Sequence, residues 1–331
     1  MTAARRGAAQ GVLRRVDDVQ RAHPVLAFPV AVIKKFGDDR AGQLAGLLAY
    51  YGFFSLFPLL LVFATGVAIV VRDDPDLRRR LLESVLQQFP VVGTRIGDSV
   101  RELTGSSFAL IVGIVGALWS GTAVVTAAQR AMDDLWDVPR VERPGLPVRM
   151  VRALLLLGVF GASIVLSTFL AGTGAETGWS AAIVKALSLS GTVLVSIAVF
   201  AFAYRVLTVA EVRWRDVLPG AIVAAVAWTI LLLLGSWLVD QHIRHASQVY
   251  GFFAIVIGLL TWISLVAQLF LLAAEINVVR ARRLWPRSLV DPPLASEDRR
   301  VLADQVEEER ARPEEQVDVT FEDHPAGRGE P

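Results

Sequence analysis

The chain has no cysteine among its 331 residues. Disulfides, a thiolate nucleophile and a cysteine-held metal are therefore excluded. Lysine is almost absent: it stands only at 34, 35 and 185, and the remaining basic residues are arginine. That bias points to a GC-rich bacterial coding sequence. Net charge is only +1, which argues against a nucleic-acid partner, since such a partner usually calls for a basic face. His23 and His324 lie near the termini, and His242 and His245 fall between apolar runs, so no pair has metal-ligand spacing on a spanning helix. No Walker-type phosphate loop occurs, and no cofactor is expected. No apolar run carries a charge at its centre, which argues against a simple proton-coupled pump. Arg5, Arg6, Arg14 and Arg15 are followed by no short apolar run with a small-residue cleavage site, so the first long apolar run is expected to stay as an anchor.

What the chain has instead is long uncharged runs. Ala41–Val71 is about 31 residues without a charge, closed by Arg40 and Arg72. A helix crosses the hydrocarbon core with about 20 residues, so this one must tilt, bend or reach into the headgroups. Pro58 cannot donate to the carbonyl of Phe54, which predicts a kink. Further spans are expected at 106–128, 153–175, 186–204, 217–239 and 246–274. The fold class is therefore all-α, a polytopic membrane protein with six transmembrane helices. Basic residues number about 20 on the side of the termini and about 8 on the other, which predicts both termini in the cytoplasm.

Three further segments are expected. Residues 1–37 form a cytoplasmic amphipathic segment, with Val25–Phe36 an interfacial elbow broken at Pro29 and backed by Lys34 and Lys35. Residues 38–287 are the membrane domain. Between its first two spans, amphipathic helices at about 75–89 and 96–103 fold onto the outer face. Residues 288–331, punctuated by proline and rich in acids such as Glu307, Glu308, Glu309, Glu314 and Glu315, form a solvated, disordered tail, or at most a short helix near 297–312.

Polar residues within the spans are the best functional lead, because each needs a partner where there is no water. Tyr50, Tyr51 and Ser55 precede Pro58; Trp119, Ser120 and Thr122 lie in the second span; Ser264 and Gln268 lead to Glu275 and Asn277 in the sixth. They line a polar seam or substrate path if their faces meet, or else bond to their own helix carbonyls. Glu275 either pairs with a nearby arginine or serves as a gate or cation-binding group. Trp119, Trp228 and Trp262 are expected inside the bundle. Asp240 with His242 and His245 is the one acid–base cluster on the outer side, read as helix-cap or hairpin residues rather than a catalytic set. With no nucleophile–base arrangement or paired carboxylates, no enzyme activity is expected.

Several motifs occur in one order: Ala49-Tyr50-Tyr51 with Ser55-Leu56-Phe57-Pro58-Leu59, Leu118-Trp119-Ser120, Leu218-Pro219-Gly220-Ala221, Tyr250-Gly251, and Ala274-Glu275-Ile276-Asn277. Over about residues 37–283 the chain resembles the YihY/BrkB family of bacterial inner-membrane proteins. Two departures stand out: Ala273 where the family tends to have glycine, and Asp133 where it often has asparagine. The resemblance implies a six-helix inner-membrane protein; some members carry a ribonuclease BN label, others a virulence label. The expected function is transport or flipping of an envelope lipid or amphipathic compound. The alternatives are a scaffold recruiting partners through its termini, and a ribonuclease. Expected partners are membrane lipids and, possible from the same reading, a second copy of the chain.

Overall fold

The computed structural model describes residues 14–15, 17–70, 107–172, 179–210, 212–238, 252–290 and 294–321. The expected outer amphipathic helices, Tyr250-Gly251 and the Asp240–His245 cluster lie outside the described residues. Among the described residues every regular element is helical. We label them α1 (Pro24–Asp38), α2 (Ala41–Val70), α3 (Ser107–Leu135), α4 (Leu146–Gly172), α5 (Trp179–Leu207), α6 (Trp214–Leu238), α7 (Phe252–Arg282) and α8 (Ser296–Glu308). Four of them hold stretches long and apolar enough to cross a membrane: Leu146–Ser163, Ser190–Leu207, Trp214–Gly235 and Val256–Arg282.

The long helices pack as a closed ring. Each of α2 to α7 touches the next in the chain, and α7 returns to touch α2. Directions alternate. Lys35 Nζ, just before α2, reaches the carbonyl of Leu135 at the end of α3 (3.3 Å). Arg149 in the first turn of α4 pairs with Asp133 near the end of α3 (3.1 Å). At the start of α6 the carbonyl of Arg215 accepts from Arg280 near the end of α7 (3.5 Å). One end of the ring therefore gathers the start of α2, the turns α3–α4 and α5–α6, and the end of α7.

Small residues set the close approaches. A Cβ on Gly116 would lie 3.3 Å from Pro58, and one on Gly121 would lie 3.2 Å from Leu157. These contacts leave the opposite side of α3 bare at about 100° per residue. Trp119 falls there and is 82% exposed, so the expectation of a bundle-interior indole is wrong for it, although Trp262 is buried. Helix α2 runs unbroken through Pro58, and α1 runs unbroken through Pro29.

The turn into α6 shows how sequence dictates the join with α7. Pro219 has no N–H for the carbonyl of Arg215, and it is this carbonyl that Arg280 serves. The next N–H, of Gly220, donates to Asn277 Oδ1 at 2.7 Å. No side chain fits at Gly220: a Cβ would collide with the Ala273 carbonyl and lie 2.5 Å from Asn277 Nδ2. Close packing at Ala273 is thus secured from the facing helix.

The expected solvated tail needs a correction. Residues 296–308 form α8, with Asp298 and Val301 buried. The reason is charge complementarity with residues far away in the chain. Arg143 pairs with Glu308 (2.6 Å), Arg140 with Glu309 (2.7 Å) and Arg310 with Glu142 (3.1 Å). Residues 17–20 and 287–289 meet over the same end of the ring. Gln20 donates to the Arg287 carbonyl (2.6 Å), and Asp17 accepts from the Leu289 N–H (2.9 Å).

Candidate functional site

Three tight corners build the site. Arg40, Asp137 and Arg283 adopt left-handed backbone with φ of 52°, 48° and 55°. Such residues end helices where glycine is usual, at a cost of about 1 kcal/mol or more. After α3, the N–H of Val138 reaches back to the Asp133 carbonyl (2.9 Å); after α7, Leu284 reaches Val279 (3.0 Å). These are the six-to-one closures of a left-handed helix stop. The corner at Arg40 turns α1 into α2 and sets Asp39 one helical turn after Lys35. The corner at Asp137 turns its carboxylate inward.

Lys35 occupies the centre and has no exposed surface. Its Nζ meets Asp39 Oδ2 at 2.5 Å and Asp137 Oδ1 at 3.1 Å. Asp137 Oδ2 accepts from Arg282 at 2.8 Å, and Arg282 also reaches Asp304 of α8 (3.3 Å) and the Trp136 carbonyl. Gln305 of α8 donates to Asp39 Oδ1 (3.3 Å). Glu275 of α7 is fully buried beside this group, and neither carboxylate oxygen has a hydrogen-bond donor. Its field acts on Lys35 and Asp39.

Electrostatics follow from burial against pairing. Burial alone would lower the Lys35 pKa, but Asp39, Glu275 and Asp137 outweigh it and hold the ammonium charged well above its usual range. Burial raises Asp39 against the pull of Lys35, and raises Asp137 to about 6 despite Lys35 and Arg282. Asp133, wholly buried beneath Arg149, is raised to about 6 by desolvation. This residue of the family departure anchors the α3–α4 turn, where Gln129 also donates to the Arg149 carbonyl (3.1 Å). A neighbouring lock is the reverse case. Burial would raise Asp298, but hydrogen bonds from Arg287, Ser288 N–H (2.8 Å), and Lys34 (3.0 Å) hold it far below the carboxylate range.

The seam residues separate into two groups. Ser55 donates to the Gly52 carbonyl (2.9 Å), Ser120 to Gly116 (2.7 Å) and Thr122 to Trp119 (2.9 Å). These hydroxyls are satisfied by their own helices. Tyr50 is exposed, stacked edge-on with Tyr51 and tilted against Phe54. On α7, Gln268 is exposed and donates to Ser264 one turn back (3.3 Å). Glu275 follows Gln268 by seven residues, about two turns, and so lies on the same face. Asn277 sits on the α6 side, buried, with its Nδ2 lacking a partner. Ser264, Gln268 and Glu275 thus share one stripe of α7 leading to the buried charges, with Asn277 off it, while Ser120 and Thr122 bond within α3.

Composition did not reveal Lys35, Asp39, Asp137 and Arg282 as one group. A signal existed: in a chain that uses arginine almost everywhere, lysine stands at 35, where a compact ammonium fits between carboxylates. Among the described residues, no group of three or more histidine, aspartate or glutamate side chains is placed to hold a metal ion.

Known proteins extend this picture. The chain is similar to the ribonuclease-like protein YfkH of Bacillus subtilis, 29% identical over 71% of this chain and 88% of that one. It is 27% identical to a UPF0761 membrane protein of Cronobacter sakazakii, over 78% and 90% of the two chains. A UPF0761 membrane protein of Chromohalobacter salexigens is 25% identical over 74% of this chain but only 61% of its own greater length. No solved structure matches. The description of the Virulence factor BrkB family matches residues 32–297, which take in the three corners and Lys35, Asp39, Asp137, Glu275 and Arg282 but stop short of Asp298 and Asp304; the chain is a member of this family of bacterial membrane proteins.

Proposed function

We propose that the chain is a six-span protein of the bacterial inner membrane, both termini cytoplasmic, that moves an amphipathic envelope component such as a lipid across the bilayer. One observation carries the reading. Gln268 is exposed along a helix otherwise apolar enough to span, and among the described residues its side chain bonds to Ser264 of the same helix. An amide left facing hydrocarbon is costly, so this face suits water or a polar headgroup. Two turns further on, the same face runs into the buried carboxylate of Glu275. The alternating six-helix ring and the excess of basic residues in the segments before the first span, in the α3–α4 and α5–α6 turns and after α7 support the orientation.

The scaffold reading relies on a free acidic tail, whereas α8 directs Glu308 and Glu309 at the chain's own arginines. The ribonuclease wording belongs to the name of YfkH; no catalytic function is evident for the family to which the chain belongs. The test is lipid movement between leaflets in liposomes carrying the purified full chain. Gln268→Leu and Tyr51→Ala are expected to slow it several-fold with unchanged insertion. Equal rates in wild type, both variants and empty liposomes would overturn the proposal.

A further inference from the structure

The charge count around Lys35 does not close. Two cations, Lys35 and Arg282, face three buried carboxyl groups, Asp39, Asp137 and Glu275. Asp304 of α8 adds a fourth acid at the rim through Arg282. The hydrogen-bond donors are also unevenly shared. Asp137 receives Lys35 and Arg282, and Asp39 receives Lys35 and Gln305. Glu275 receives nothing and has no exposed surface. A fully buried carboxylate without a donor carries a heavy desolvation penalty as long as it stays ionised. Glu275 is also within hydrogen-bonding reach of Asp39, and both groups are acceptors when ionised. A proton placed between them supplies the missing donor, gives each acid a partner and brings the inner count of two cations and three acids to neutrality.

We propose that Asp39 and Glu275 form a proton-binding site, with one proton bridging the two carboxyl groups between the short first helix and the last long one. The occupant is a proton rather than a metal ion, because the Lys35 ammonium already sits on Asp39 and Asp137 beside the pair and, among the described residues, no group of three or more acids or histidines is placed to hold a metal. The site binds and releases: when the proton leaves to water, Asp39 and Glu275 both become anionic. Like charges then face each other across the α1–α7 contact, and the corner at Asp39 is pushed away from α7. Around the pair, Lys35 faces it from α1, Asp137 from the end of α3, Arg282 from α7, and Asp304 from α8. Lys35 and Arg282 oppose the separation, while Asp137 and Asp304 favour it. The site stands at the foot of the stripe bearing Gln268, so proton release would loosen the floor beneath it. The inference stands on the cluster alone and does not need lipid movement to be correct.

The experiment is infrared spectroscopy of the full chain in nanodiscs, reading the C=O stretch of protonated carboxyl groups. It is done above the range in which Asp133, Asp137 and Glu308 titrate, the last raised to about 7. Wild type is expected to retain one protonated carboxyl per chain, with the signal of a strong hydrogen bond. Glu275→Gln removes it. Asp39→Asn also removes it, since the cluster is then neutral without a proton. Raising the pH further is expected to lower the amide protection factors of residues 24–39, corrected for the intrinsic rise of exchange with hydroxide, in wild type but not in Glu275→Gln. Absence of the band in wild type, its survival in both variants, or its displacement by sodium chloride would each overturn the proposal. The wild-type measurement decides even where a variant fails to fold.

Discussion

Asn277 accepts the backbone N–H of Gly220 at 2.7 Å, and this bond ties α6 to α7 at the point where Pro219 interrupts the α6 ladder. Two motifs that lie 57 residues apart are thus halves of one joint. The joint has almost no free space, which makes it the simplest place to test the ring. Gly220→Ala puts a methyl group against the Ala273 carbonyl and Asn277. The expected loss is about 1–3 kcal/mol, or more if the backbone is unable to shift. It is read as a lower Tm in detergent.

Lys35 is the next test. Lys35→Met leaves Asp39 and Asp137 buried without their shared cation. Removing one member of a buried pair costs about 3–5 kcal/mol. The expected result is a large drop in Tm. Exchange should rise first in residues 24–39, because α1 is held to α7 at this end.

The pH dependence follows from the raised acids. Asp133 and Asp137 titrate at about 6 and Glu308 at about 7, against ordinary values near 4. Between those limits the folded chain binds more protons than the unfolded one. Stability therefore falls as pH rises through roughly 4 to 7 and is fuller on the acid side. Asp298 acts oppositely: its contribution is present above its ordinary value of 3.8 and fades only as pH falls below it. Tm should be higher near pH 5 than near pH 7.5, by the equivalent of about 1–2 kcal/mol per raised acid after solvent screening. Asp137→Asn should reduce that slope, since asparagine also tolerates the left-handed corner.

Salt separates two kinds of charge pair at α8. Arg140 and Glu309 have side chains 58% and 67% exposed, whereas Arg287 and Asp298 are at 2% and 1%. Raising salt to about 1 M should cancel the first pair and leave the second nearly intact. Arg140→Ala should change Tm little, while Asp298→Ala should lower the unfolding free energy by about 3–5 kcal/mol, read as a large drop in Tm.

Hydropathy made the helices legible because apolar length is what a bilayer demands. The run ending at Val71 matches α2, Ala41–Val70. It failed at helix ends that carry charge. The run starting at 186 belongs to a helix starting at Trp179, and the run ending at 274 continues to Arg282. Charged residues continue a helix without contributing to its apolar signal. The charged end was less legible still. Lys35 and Glu275 looked like separate residues at the edges of apolar runs, and the acids of 296–308 had the composition of a solvated segment. Their partners are distant in sequence: Lys34 meets Asp298 across 264 residues and Arg143 meets Glu308 across 165. Local pattern carries no trace of such pairings.

That distance orders events during synthesis. Lys35 leaves the ribosome 240 residues ahead of Glu275, and Lys34 precedes Asp298 by 264. Until the final stretch emerges, Lys34 lacks the Asp298 carboxylate that it meets in the finished fold, whereas Lys35 already has Asp39 and, once the third helix is made, Asp137. The two ends close like a clasp fastened by the last link. A nascent chain halted before residue 296 would have every apolar run already in place yet remain unlatched, so fusions that block the C-terminal side of α8 act on the N-terminal helix.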